Sequence, residues 1–233
     1  MSILTQLEPL YDKKCECLMC KKNFISQKIR TRFIKLAEVD TDFSPAYQPP
    51  ENNPIFYQIH VCPYCGFSFS EETIKYFPPN SRELIQEKVV NNWTPQDFGG
   101  SRTIHQAIQT YKLAIYCGVL KKEKHIVLAG MYLRVAWMYR SLQNDGQEQR
   151  FMKLAIMEYH ESYLKDDFRG TQVSEVKLLY LIGELSRRTL QTQQAVQYFS
   201  KVIERQKQSI EPKIIEMARE RWYEIREEKT LNA

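Results

Sequence analysis

The sequence predicts an α+β fold, with a small strand-built module over residues 1–79 followed by an all-helical domain over residues 80–233. Three observations predict it. Two matched Cys-x-x-Cys pairs lie within the first 65 residues. Apolar residues in the same region alternate with a period of two. From Ser81 onward the apolar period becomes helical and stays so.

In the first module, "IFYQIHV" sets Ile55, Tyr57, Ile59 and Val61 against Phe56, Gln58 and His60, the alternation of a half-buried strand. "KIRTRFIKL", from Lys28 to Leu36, is the weaker candidate for its partner. Between them "DTDFSPAYQPPENNP" reads as a long loop because of its Pro and Asn content. "SEETIKYF" reads as a short helix with Ser70 near its start, and Pro78-Pro79 marks the domain boundary.

Six antiparallel helices then follow, near 101–119, 123–143, 147–165, 172–189, 192–209 and 211–229. Ser101 is the expected N-cap of the first of these. Gly146 and Gly170 fall in gaps, and Pro212 opens the last helix, where a missing N–H costs nothing. "AIQTYKLA" and "AVQYFSKV" repeat one pattern, Ala107, Tyr111, Ala114 and Ala195, Phe199, Val202, at i, i+4 and i+7. Gly183 lies 12 residues before Ala195, the tetratricopeptide spacing of small residues that lets paired helices approach. A looser copy runs through Ala136, Met152 and Ala155, with Glu148 at the small-residue position. The helical domain is therefore tetratricopeptide-like, with an irregular bundle as the alternative.

The cysteines carry the strongest chemistry. "CLMCKKNF" and "CPYCGFSF" both read Cys-x-x-Cys-x-x-x-Phe: Cys17, Cys20, Phe24 and Cys62, Cys65, Phe69. Each tight spacing aims two sulfurs at one point, and two such pairs fill a tetrahedral Zn²⁺ site. The expected cofactor is one structural zinc per chain, in a zinc-ribbon-like module whose 41-residue spacer implies an inserted hairpin. Gly66 suits a turn through positive φ. Iron uses the same ligands, so spacing leaves zinc and iron both open. Cys15 with Cys20 also has a metal-reaching spacing, and only the symmetry of the two pairs favours Cys17. Cys117 reads as core, and His60 as a satisfied residue at the surface or beside the ligands.

The chain has 233 residues and a net charge of +5. Eight Lys/Arg and one acid, Glu16, lie between Lys13 and Lys35, whereas residues 36–79 carry six acids against Lys75. The basic cluster around the first pair offsets the charge of a four-thiolate metal site. A nucleic-acid-associated regulator using this module is the alternative reading. The opening residues have neither a signal-peptide core nor the glycine that myristoylation needs, Ser2 standing there instead. No apolar run reaches membrane-spanning length, so a cytoplasmic location and no membrane partner are expected.

"CLMC", "EVDTDFSPAY", "NNPIFYQIHVCPYCGFSF", "LRVAWMYR" and "LLYLIGELSRR" together resemble a bacterial family defined only as a domain of unknown function. The resemblance covers nearly the whole chain. It implies a four-cysteine N-terminal module with tetratricopeptide-like helices behind it, and no activity. Asp40 and Asp42 belong to the matched stretch. Their spacing can hold a hard cation, but loop carboxylates are usually solvated.

No nucleophile–base pair, phosphate loop or HExxH motif is present, and His105, His125 and His160 stand on helices without matching carboxylates. The expectation is a non-enzymatic zinc-binding interaction module. In "VSEVKLLYLIGELSRR" Lys177, Tyr180, Glu184 and Arg187 form one polar stripe, bordered by Arg188, on an otherwise apolar helix. In tetratricopeptide register the stripe is the concave face, and Trp137 and Arg140 join it. Trp137, Arg140, Lys177, Tyr180, Arg187 and Arg188 then suit a protein partner or an acidic peptide.

Overall fold

A computed structural model describes residues 7–207 and 209–231. Residues 1–6, and with them Ser2, to which the signal and acylation readings refer, lie outside the described residues. The chain forms two compact units. One runs up to Asp40 and again over Pro45–Glu123, and the other comprises Thr41–Ser44 and the chain from Lys124 onward.

In the first unit, β1 (Leu10–Glu16) and β2 (Asn23–Ile29) form an antiparallel hairpin with Cys15 opposite Phe24. Strands β3 (Leu36–Val39) and β4 (Pro45–Tyr47) pair next, and β5 (His60–Val61) with β6 (Ser68–Phe69) closes the series. Each cysteine pair sits at a hairpin tip, the first between β1 and β2, the second between β5 and β6.

Two sequence expectations fail here. "IFYQIHV" is not one strand: Pro54–Tyr57 is a 3-10 turn, and only His60–Val61 of the segment is extended. The Asn53 side chain accepts from Ile55 N and Pro54 occupies the first turn, so a capping signal overrides the alternation. Ile55, Phe56 and Tyr57 are all buried, which a one-sided strand would not allow. "KIRTRFIKL" breaks likewise into the end of β2, a 3-10 turn over Thr31–Phe33 and the start of β3. "SEETIKYF" is also no helix. Its one turn closes on Ser70 and Thr73, and Ile74 N then donates to the Glu123 carboxylate instead of continuing the ladder.

Helix α1 (Ser81–Lys88) and helix α2 (Ile104–Lys121) belong to this unit, which moves its limit from the expected Pro79 to Glu123. The reason is the core. Ile85 and Val89 from the α1 segment and Cys117 from α2 pack with Met19, Phe24, Phe67, Phe69 and the cysteines in one apolar cluster. Arg82 also donates to Met19 O at 2.6 Å. The N-cap of α2 is Thr103, not Ser101, because Thr103 and Gln106 make a reciprocal capping box.

The second unit holds α3 (His125–Ser141), α4 (Asp145–Lys165), α5 (Glu175–Arg188), α6 (Thr192–Glu204) and α7 (Pro212–Leu231). These match the expected helices to within a few residues. Pro212 starts α7 as read, whereas Gly146 lies in the first turn of α4, not in a gap. Consecutive helices pack in sequence order, α3 on α4 and α5 on α6. At the second contact a Cβ on Gly183 would come within 2.9 Å of the Phe199 ring. The small residue lets α5 and α6 close. Ala107, Tyr111, Ala114, Ala195, Phe199 and Val202 are all buried. No helix among the described residues is long and apolar enough to cross a membrane.

Candidate metal centre and helical groove

The two cysteine loops are built alike. In the first, Lys21 N donates to Cys17 O at 3.0 Å and Cys17 N to Lys22 O at 3.0 Å. In the second, Gly66 N donates to Cys62 O at 2.9 Å and Cys62 N to Phe67 O at 3.1 Å. The residue after each pair takes the left-handed conformation, Lys21 at φ 62 and Gly66 at φ 72. Gly66 is further constrained, because a Cβ there would sit 2.4 Å from the Trp93 ring. Trp93 covers the loop and donates Nε1–H to Pro63 O at 2.9 Å.

These turns aim four sulfurs at one point. Cys17 Sγ lies 3.6 Å from Cys65 Sγ, and Cys20 Sγ 3.6 Å from Cys62 Sγ. The ligand atoms of Cys17, Cys20, Cys62 and Cys65 all lie within 4.8 Å of one another, so the four could hold a metal ion. A tetrahedral site with metal–sulfur bonds of about 2.3 Å requires sulfurs about 3.8 Å apart, close to the spacing seen. Hydrogen bonds from Cys17 and Cys65 favour a thiolate on Cys62, while the bond to Cys62 pushes the Cys17 thiol up. Cys65 is pushed up as well, first through its bond with Cys17. Four thiolates need a cation among them.

Cys15 is not part of this group. Its sulfur lies 3.6 Å from His60 Nδ1, which is itself 3.0 Å from Ser26 Oγ. His60 is buried rather than surface-exposed, and its Nε2 has no hydrogen-bond partner among the described residues. Burial, then the positive charges of Lys28 and Lys13, lower its pKa to about 4. Cys117 is core, as read, and accepts a 3.4 Å contact from Ser68 N.

Part of the basic cluster beside the first loop is paired with acids of the same unit. Lys13 and Lys28 both bond Glu71, and Lys21 lies 3.5 Å from Glu16. Lys22 stands over the Tyr64 ring at 4.9 Å. Arg102, which the sequence reading passed over, is buried and ties the stretch 56–59 to its own. Its guanidinium donates to Phe98 O, Phe56 O and Ile59 O at 2.7–2.9 Å. A lone arginine after Gly99-Gly100 carries no sequence signal for such a role.

The second unit brings the six candidate partner-binding residues into one neighbourhood, around the Thr41–Ser44 segment of the same chain. Asp42, expected to be solvated or to hold a cation, is wholly buried. Arg140 donates to both its carboxylate oxygens, at 3.1 and 2.6 Å, and Trp137 Nε1–H donates at 3.0 Å. The Phe43 ring lies 5.5 Å from that of Tyr180 and 4.8 Å from the Lys177 ammonium. Tyr180 OH donates to Thr41 O at 2.9 Å, and Arg188 to Thr41 Oγ1 at 2.7 Å.

Arg187 holds Glu184 through two 2.8 Å bonds, and Arg188 adds a third of the same length. Glu184 and Tyr180, both read as part of the polar stripe, are fully buried. Burial alone would raise the Glu184 pKa, but the bonds from Arg187, Thr41 and Arg188 outweigh it and lower it. Elsewhere, His125 does have a carboxylate partner, Glu158 at 2.6 Å, contrary to the sequence reading.

A protein of Borreliella burgdorferi described as "Uncharacterized protein" is 24% identical over 168 residues, covering 64% of this chain and 60% of the relative. No solved structure matches the chain. The family model described as "Uncharacterized protein conserved in bacteria (DUF2225)" matches residues 10–225. The chain belongs to that bacterial family.

Proposed function

We propose that the chain is a non-enzymatic, cytoplasmic, zinc-binding interaction module whose tetratricopeptide-like groove binds a protein or an acidic peptide. The metal is structural in this reading. Four cysteine ligands leave no open position for water or substrate, and zinc suits a closed four-thiolate site. Its task is to fold the hairpin tips that anchor the first core. Reduced thiols are what a reducing compartment maintains.

The observation that carries the binding reading is the buried Asp42 carboxylate, gripped by Arg140 and Trp137, with the neighbouring Phe43 ring against Tyr180. Two-pronged arginine bonds with an aromatic ring alongside suit an acidic residue next to an aromatic one. A photocrosslinking amino acid at Lys177, used in the native bacterium, tests the reading. A partner crosslinked there, once purified, should bind the intact chain and lose at least tenfold in affinity for Arg140→Gln. A partner that crosslinks elsewhere and ignores Arg140→Gln overturns it.

A further inference from the structure

The groove holds a segment of its own chain. We infer that Thr41–Ser44 is a stand-in for the partner, and that a partner carrying an acidic residue followed by an aromatic one binds by displacing it. This rests on the binding reading above and adds its regulation and the chemistry of the ligand.

Three features carry the inference. The first is that nearly every candidate contact is already spent on the segment. Asp42 takes Arg140 and Trp137, Phe43 takes Tyr180 and Lys177, and Thr41 takes Tyr180 OH and Arg188. Thr41 Oγ1 in turn donates to Glu184 at 2.5 Å. A partner using these groups competes with the segment and does not bind beside it.

The second feature is that the groove keeps its charges paired without the segment. Arg140 also donates to Glu148 at 2.7 Å. Arg187 and Arg188 both keep Glu184. An emptied groove would therefore strand no lone buried charge, which is the usual heavy cost of removing one member of such a pair.

The third is strain in the segment. Phe43 sits at φ 65, a left-handed conformation that a bulky L residue adopts with difficulty. Asp42 helps hold the bend by accepting from Ser44 N at 3.2 Å. A linear peptide presenting the same Asp-Phe chemistry need not take that bend. The resident segment instead has the advantage of its tether, whose effective concentration reaches the millimolar range for short connections. Weak acidic peptides are thereby excluded, and a well-matched one gets in.

The test uses the full chain and a fluorescein-labelled peptide with the sequence of residues 38–47, EVDTDFSPAY, read by fluorescence anisotropy. Phe43→Gly and Asp42→Ala each loosen the resident segment, the first being the milder should the second lower the melting temperature. Both should bind the peptide at least tenfold more tightly than wild type. Adding Arg140→Gln, or replacing the peptide's Asp-Phe aspartate by Asn, should remove the gain. Equal, Arg140-dependent binding by wild type and loosened variants would overturn the occlusion while leaving the groove as a peptide site. No binding by loosened variants that keep their helical circular dichroism would overturn both.

Discussion

Phe24 and Phe69 meet edge to face, with ring centroids 6.5 Å apart and planes at 87°. Each stands four residues after the second cysteine of its pair, so the two Cys-x-x-Cys-x-x-x-Phe copies converge at their rings as well as at their sulfurs. Phe67 stacks on Phe69 at 5.8 Å and joins the contact to the core of the first unit. Phe24→Leu and Phe69→Leu should each destabilise the chain. A double-mutant cycle in urea should return a coupling of about 0.5–1.5 kcal/mol, the range for such aromatic pairs. Strict additivity would mean the rings only fill volume.

Gly66 is the one glycine of the two cysteine loops. Its left-handed φ alone makes Gly66→Ala cost about 1–2 kcal/mol, and the new Cβ would strike the Trp93 ring. The loss in Gly66→Ala should therefore be partly relieved by Trp93→Ala, giving a double variant more stable than the sum of the two changes predicts. Thermal melts of the four proteins measure this. An additive result would place the whole cost in the backbone.

Glu184 gives a pH-dependent prediction. Its folded pKa is depressed, so its stabilising contribution is present above the unfolded carboxylate value and is lost as pH falls through the folded one. At pH 7, Glu184→Gln should cost roughly 3 kcal/mol, because Arg187 and Arg188 lose the buried charge they face. Under acid, wild type and variant should converge. A constant difference from pH 7 down to pH 3 would show that the cost is one of shape and not of charge.

Much of this was legible in the sequence. The paired cysteines, their trailing phenylalanines and the Gly183–Phe199 contact are local patterns with a direct geometric meaning, and each appears in the fold. The failures are places where a local cap or a distant partner outcompeted the pattern. Asn53-Pro54 turned an alternating stretch into a 3-10 helix, and the Glu123 carboxylate captured Ile74 N from a predicted helix. Helical register grouped Trp137, Arg140, Lys177, Tyr180, Arg187 and Arg188, but it did not show the Thr41–Ser44 segment packed among them, because nothing in "DTDFS" announces that Asp42 is buried 98 residues from the arginine that binds it.

The choice of thiols is open to a direct check. Cys15 Sγ faces His60, outside the four-sulfur group, so Cys15→Ser should leave metal content unchanged. Cys17→Ser should lose the metal and the structure of the first unit. Full metal occupancy in Cys17→Ser, with loss in Cys15→Ser, would reverse the assignment.

The claim on which the first unit depends is the closed four-thiolate centre, and native mass spectrometry of the purified chain tests it most directly. The account predicts one zinc per chain, retained in the folded charge states. Removal by a strong chelator should release about one equivalent, together with a shift to unfolded charge states, because metal binding and folding are linked at such sites. A folded chain that carries no metal, or one that carries iron, would contradict it.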